Sequence, residues 1–157
     1  MIKLVRIDHR LLHGQVAFAW TPELNVDAIM IVNDAAATDD TQRSIIRMAK
    51  PQGVKLAIKT VDDAIATLKS GKTNDLTMFV IVGNVEDAVK LQHGYPEIKH
   101  INLGGMKVRE GTRNLTKAVN LLPEEEEQLK QLIADGIEVE LRQVPGDKAI
   151  PVQKLIK

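Results

Sequence analysis

The stretch VRIDHRLLHGQV, residues 5–16, gathers two histidines, two arginines and an aspartate into twelve positions. It begins as an apolar strand and ends at a helix start, so Asp8, His9, Arg10 and His13 fall in the loop between. Exposed N–H groups at a helix start bind anions, Gly14 lets the backbone come close to a ligand, and the planar fork of Arg10 matches phosphate oxygens. Histidine titrates near neutrality and is a nucleophile, so His13 can carry a phosphoryl group covalently as well as sit beside a bound phosphate ester. Plainer readings stand next to these: a solvated loop histidine, and an arginine–aspartate surface pair of little energetic worth. His9 and His13 are four residues apart, but the loop precedes the helix and no Glu-flanked histidine pair of the metalloprotease kind follows. No metal is expected.

The elements that position this loop read as alternating strands and helices. Residues 2–7, 27–32, 54–58, 76–82, 99–103 and 136–141 are short runs rich in Ile, Val and Leu, several nearly continuous, as in strands covered on both faces. Between them, 37–50 is a helix with Thr38 as its cap and Pro51 as its stop. Residues 60–71 run from a Thr cap to a Gly, and 84–94 from Asn84 to Gly94. In 122–136, Pro123 stands near the first helical position and Glu124 to Glu127 lie where the helix dipole favours acid, so the acidic run is a helix start. Residues 117–122 suggest one more strand, and the tail 144–157 is irregular and packs back on the body.

The expected fold is α/β: a single domain over residues 1–157 with a mostly parallel sheet of six or seven strands and helices on both faces. In such folds ligands bind beyond the carboxyl ends of the strands, where strand order reverses. The charged loop follows the first strand at such an end. Asn33 and Asp34 after the second strand, Asn84 after the fourth and Gly104–Gly105 after the fifth share that edge. Each is either a turn residue or a lining of the site.

Composition narrows the chemistry further. There is no cysteine, which removes disulfides, thiolate metal sites and cysteine nucleophiles and suits a reducing cytoplasm. Lys plus Arg and Asp plus Glu both number 21, so no basic excess argues for nucleic acid or an anionic membrane. The charged start is unlike a signal peptide, and no apolar run approaches the roughly 20 residues of a spanning helix. GKT at 71–73 lacks the first glycine of a Walker A loop and reads as a helix stop. Phe18 and Trp20 on the first helix are expected in the core, the methionines as apolar filler, and His93 and His100 as ordinary histidines.

VRIDHRLLHGQVAFAW resembles the active-site segment of the enzyme IIB components of the bacterial sugar phosphotransferase system, mannose/fructose/sorbose class, whose pattern reads approximately R-I-D-x-R-L-[IL]-H-G-Q-V. IVNDAAATDD, RMAKP and INLGGMKVREG are similar to later segments of the same family, so the resemblance spans nearly the whole chain apart from the tail. It implies a cytoplasmic phosphocarrier without a cofactor. Such a carrier accepts a phosphoryl group from a IIA protein (EIIA) and passes it to a sugar brought in by the membrane subunits IIC and IID (EIIC and EIID). The sugar is left open among mannose, fructose, sorbose and N-acetylgalactosamine. By position the phosphorylated residue is His13, on Nδ1, while His9 falls at a variable position.

Catalysis of phosphoryl transfer rests on alignment and on neutralising the phosphoryl oxygens. Arg10 and the amides near His13, Gly14 and Gln15 are the expected neutralising groups, with Asp8 orienting Arg10 or fixing the loop. A non-covalent phosphate-ligand domain and a regulatory interaction module are the alternatives.

Overall fold

A computed structural model of the chain describes residues 1–156. Six strands run parallel: β1 (Ile2–Asp8), β2 (Ala28–Val32), β3 (Lys55–Lys59), β4 (Met78–Val82), β5 (His100–Gly105) and β8 (Glu138–Leu141). The short β9 (Ile150–Pro151) adds antiparallel to β8, giving a seven-stranded sheet of order β3-β2-β4-β1-β5-β8-β9. A separate antiparallel hairpin is formed by β6 (Arg113–Thr116) and β7 (Val119–Leu121). The suggested strand near 117–122 is therefore present, but it lies outside the main sheet.

Helices cover both faces. α1 (Gly14–Leu24), α2 (Asp34–Thr38) and α3 (Asp40–Met48) pack on one side, in a core with Leu4, Ile29, Ile31, Phe79 and Ile81. α4 (Val61–Lys69), α5 (Val85–Gly94) and α6 (Pro123–Ala134) pack on the other, against Val5, Ile7, Met30, Val80 and Ile101. The period of two along β1 thus sends Leu4, Arg6 and Asp8 toward α1, and Val5 and Ile7 away from it. The tail packs back as expected, with Val152 and Ile156 buried.

Most helix starts follow their capping signals. Thr60 and Asn84 accept from the backbone N–H three residues on, and the Glu125 side chain accepts from the Leu122 amide at 2.8 Å. Glu125 and Glu126 also pair with Arg109 and Arg113, which ties the acidic helix start to the hairpin side. Gly71, at φ +81°, follows the Ser70 C-cap of α4, so GKT is a helix stop.

Several expectations are corrected. Thr38 does not cap a helix over 37–50: it ends α2, and Asp39 caps the separate α3 by accepting from the Gln42 amide. Phe18 and Met48 are not core, being 84% and 85% exposed, whereas Trp20 is buried. The buried stripe of α1 is Val16, Ala17, Trp20 and Thr21, and Phe18 lies off it. Gly104 and Gly105 are not turn residues but the last two of β5, and their reason is steric. A Cβ on Gly104 would stand 2.0 Å from Cζ of Arg6, so the missing side chain is the space the guanidinium occupies.

Gly104→Ala should therefore destabilise the fold by at least about 2 kcal/mol, through overpacking and displacement of a buried cation. Gly105→Ala, whose Cβ would only touch Asp8 Oδ1 at 3.4 Å, should cost well under half as much. Urea denaturation of both variants measures the difference.

Candidate active site

The loop after β1 is built from its own sequence. Asp8 Oδ1 accepts from the Arg10 backbone N–H at 3.0 Å, and the Leu11 N–H donates to the Asp8 carbonyl at 2.9 Å, a tight turn closed by one carboxylate. Leu11 pays for the turn with φ +58°, rare for a branched side chain, and is held there because Leu11 and Leu12 are both buried in the core under α1. The polar neighbours His9 and Arg10 are thereby turned out to solvent. The turn delivers His13 to the N-cap of α1 in extended conformation, with no side-chain cap bond. The first bond of the helix runs from the Ala17 N–H to the His13 carbonyl, so the amides of Gly14, Gln15 and Val16 have no acceptor within the helix.

Asp8 also fixes the histidine. His13 Nε2 lies 3.3 Å from Asp8 Oδ2, and an ionised carboxylate only accepts, so Nε2 carries a proton and, in the neutral ring, Nδ1 keeps the lone pair. Nδ1 is enclosed and has no hydrogen-bond partner among the described residues. Burial pushes the Asp8 carboxyl up, but the hydrogen bond from His13, the charge of Arg6 and the Arg10 amide outweigh it and hold the carboxyl below its usual range.

Arg6, the first residue of the R-I-D-x-R pattern but one given no role by the sequence reading, anchors this arrangement. Its Nη2 and Nε donate to Asp8 Oδ2 at 3.1 and 3.3 Å, and Nη1 donates to Asn102 Oδ1 at 2.8 Å and to the Arg142 carbonyl at 3.2 Å. The Trp20 ring has the Arg6 guanidinium at 5.2 Å and the Arg142 guanidinium at 5.1 Å from its centroid, while its Nε1 donates to the Gln143 carbonyl. The arginine partner of Asp8 is thus the buried Arg6; Asp8 holds Arg10 by its backbone and leaves its side chain free of hydrogen bonds among the described residues. The sequence signal for Arg6 was a charge inside an otherwise apolar strand, which cannot be buried without a partner.

Above the loop opens a crevice of about 310 Å³ between the ends of β1 and β5, bordered by Asp8, His9, Arg10, His13 and Gln15. Lys107 and Lys117 complete its rim, brought there because the Met106 and Asn120 amides tie the hairpin to the end of β5. Of the other edge residues, Gly104 and Gly105 line it as well, whereas Asn33, Asp34 and Asn84 do not. Asn33 caps α2 by accepting from the Ala36 amide, Asp34 accepts from the Val61 amide at 2.9 Å, and Asn84 caps α5. His93 is on α5, and His100 pairs with Glu140 at 2.8 Å on the opposite end of the sheet.

The family described as PTS system sorbose subfamily IIB component matches residues 2–157. The chain is 34% identical over 151 residues to the PTS system sorbose-specific EIIB component of Klebsiella pneumoniae, covering 96% of this chain and 92% of that protein. It is 35% identical over 156 residues to the PTS system mannose-specific EIIAB component of Escherichia coli K12, covering 99% of this chain and 48% of that longer protein. The crystal structure of the IIBSor domain of the Klebsiella pneumoniae sorbose permease superimposes with a TM-score of 0.94 at 33% identity, over 99% of this chain and 96% of that one. With residues 2–157 matched by the family and the fold shared over nearly its whole length, the chain belongs to the PTS sorbose-subfamily IIB components and is the EIIB of a mannose-type sugar phosphotransferase system.

Proposed function

We propose that His13 is the phosphoryl carrier of this EIIB, accepting the group on Nδ1 from a phosphorylated EIIA and passing it to a sugar. The observation that carries this reading is the state of the imidazole: Nε2 is committed to Asp8, and Nδ1 has no partner among the described residues. In the transfer, a bond forms from Nδ1 to phosphorus as the bond from phosphorus to the donor histidine breaks, and its electron pair returns to the donor ring. The proton on Nε2 stays where it is, and Asp8 balances the positive charge that develops on the ring. Nδ1 is enclosed in the resting loop, so docking of the donor has to uncover it.

The unpaired amides of Gly14 and Gln15 and the free guanidinium of Arg10 are suited to the phosphoryl oxygens, for a loose transition state places its charge there. Asp8 is a positioning group in this scheme. Among the described residues no helix is long and apolar enough to cross a membrane, so passage of the sugar is assigned to membrane components, EIIC and EIID, and the carrier works in the cytoplasm. The fusion of an EIIA to the matching region in the relative named EIIAB supports the choice of donor.

Incubated with a phosphorylated EIIA, the chain should gain one phosphoryl group that is labile in acid and stable in alkali, as phosphoramidates are. His13→Ala should abolish the label, and His9→Ala, His93→Ala and His100→Ala should each keep most of it. Label persisting in His13→Ala, read by intact mass, overturns the assignment.

Arg10→Lys keeps the charge but loses the planar fork, so rapid-quench transfer from EIIA should slow by about 10²-fold, the size expected for one preorganised donor. Thermal unfolding should stay within about 0.5 kcal/mol of wild type, because the side chain is exposed and unpaired. An unchanged rate would leave the backbone amides as sole holders of the phosphoryl group.

A further inference from the structure

At the amino ends of β1, β4 and β5, the end of the sheet opposite His13, lies a second cleft of about 540 Å³, within the roughly 300–1,000 Å³ of small-molecule sites. Leu68, Met78 and Ile98 form its apolar floor. On β1, Val5 and Ile7 face α4 and α5, and Ile101 and Leu103 of β5 face the same way. Lys3 and Lys99 stand two residues before the paired Val5 and Ile101, so both point to that face and lie side by side on the rim. Both are exposed, and neither makes a hydrogen bond or ion pair among the described residues. Like charges on neighbouring strands repel, so the fold itself gives no reason for the pair. The carboxylates around them are engaged: Asp27, which feels the charge of Lys3, accepts from the Thr77 amide and hydroxyl, and Glu97 accepts from the Tyr95 hydroxyl.

The remaining groups narrow the occupant. α4 and α5 both end at this side of the sheet, so their last turns offer carbonyls rather than amides, which accept from hydroxyls and repel a bare anion. Thr73 and Asn74 border the cleft with side chains that have no hydrogen-bond partner among the described residues, and the half-buried Tyr95 ring adds a flat apolar surface. We infer that this cleft binds a sugar phosphate, the class of compound a sugar phosphotransferase system makes, with the phosphate between Lys3 and Lys99 and the sugar hydroxyls toward Thr73, Asn74 and the end of α5. Inorganic phosphate would leave the hydroxyl acceptors unused, and an unphosphorylated sugar would leave the two ammonium groups unpaired. β1 carries Lys3 near one end and Asp8 at the other, so the ligand is held far from the loop of His13 and does not compete with a phosphoryl group there. Nothing in this site depends on the role proposed for His13.

The test titrates the full-length, unphosphorylated chain with mannose 6-phosphate and with fructose 1-phosphate, reading backbone amide shifts, with mannose and inorganic phosphate as controls. At least one sugar phosphate should bind saturably with a Kd of about 1 mM or below, and each control should bind at least about 10-fold more weakly. The shifts should centre on residues 1–5, 73–74 and 95–100. Lys3→Ala/Lys99→Ala should weaken binding by about 10-fold or more and leave thermal unfolding unaltered, since both side chains are exposed and unpaired. Lys3→Arg/Lys99→Arg, which keeps both charges, should retain most of the affinity. No saturable shift with either sugar phosphate would overturn the inference, as would shifts confined to residues 8–20, where the ligand would be occupying the His13 loop. Equal binding of inorganic phosphate would reduce the cleft to an anion site and overturn it too, and so would full affinity in the double alanine variant.

Discussion

The Arg6–Asp8 ion pair inside the sheet edge is the constraint around which the rest of this structure is arranged. A guanidinium in the middle of a central strand is expensive: an unpaired ion there costs several kcal/mol even after relaxation. Each compensation recruits a separate element. β5 supplies the Asn102 side-chain oxygen Oδ1 and the clearance at Gly104, the end of β8 leads into the Arg142 backbone carbonyl, and α1 supplies the face of Trp20. What remains of the pair's capacity faces outward, as Asp8 oxygens that take the Arg10 amide and the His13 ring. The loop that carries the histidine is held by a charge the core cannot release, so the ring is oriented before any partner arrives.

How much of this was legible in the chain depends on how local each signal is. The six parallel strands were readable because each is an apolar run bounded by capped helices, and burial on both faces leaves no alternation to misread. β6 and β9 were missed for the opposite reason: RNLT is half polar, and IP has two residues and a proline, so neither carries a period. α2 was missed because its five residues directly follow a strand end that reads as a turn, and with Thr38 and Asp39 adjacent the choice of Asp39 as cap was settled by the turn between two helices. Phe18 misled because hydrophobicity was read without its angle on the helix.

The site divides in the same way. Asp8, Arg10, His13, Gly14 and Gln15 could be read together because they follow closely in the chain, from the end of β1 to the start of α1. Asn102, Lys107, Lys117 and Arg142 reach it only through the pairing of β5 with β1 and β8 and through the hairpin, contacts made across about a hundred positions of chain. No local pattern marks them. Gly104 shows the limit well: as a sequence letter it suggests a turn, and only the guanidinium beside it reveals a packing requirement.

Topology explains why one strand end opens on a crevice while its neighbours are merely capped. From β1 the chain crosses one face of the sheet toward β2, and from β5 it crosses the other face toward β8, so the two connections part and leave the crevice between β1 and β5 uncovered. At the ends of β2 and β4 the chain turns at once into α2 and α5, and Asn33 and Asn84 spend their side chains closing those helix starts. His13 occupies the same N-cap position on α1 but makes no capping bond, because Asp8 has already drawn its Nε2 away. The helix start is left open to an anion by the same contact that sets the tautomer of the ring. On the proposed role of His13, the amides suited to the phosphoryl oxygens and the ring nitrogen suited to the phosphorus are thus set by one carboxylate, Asp8, itself held by Arg6.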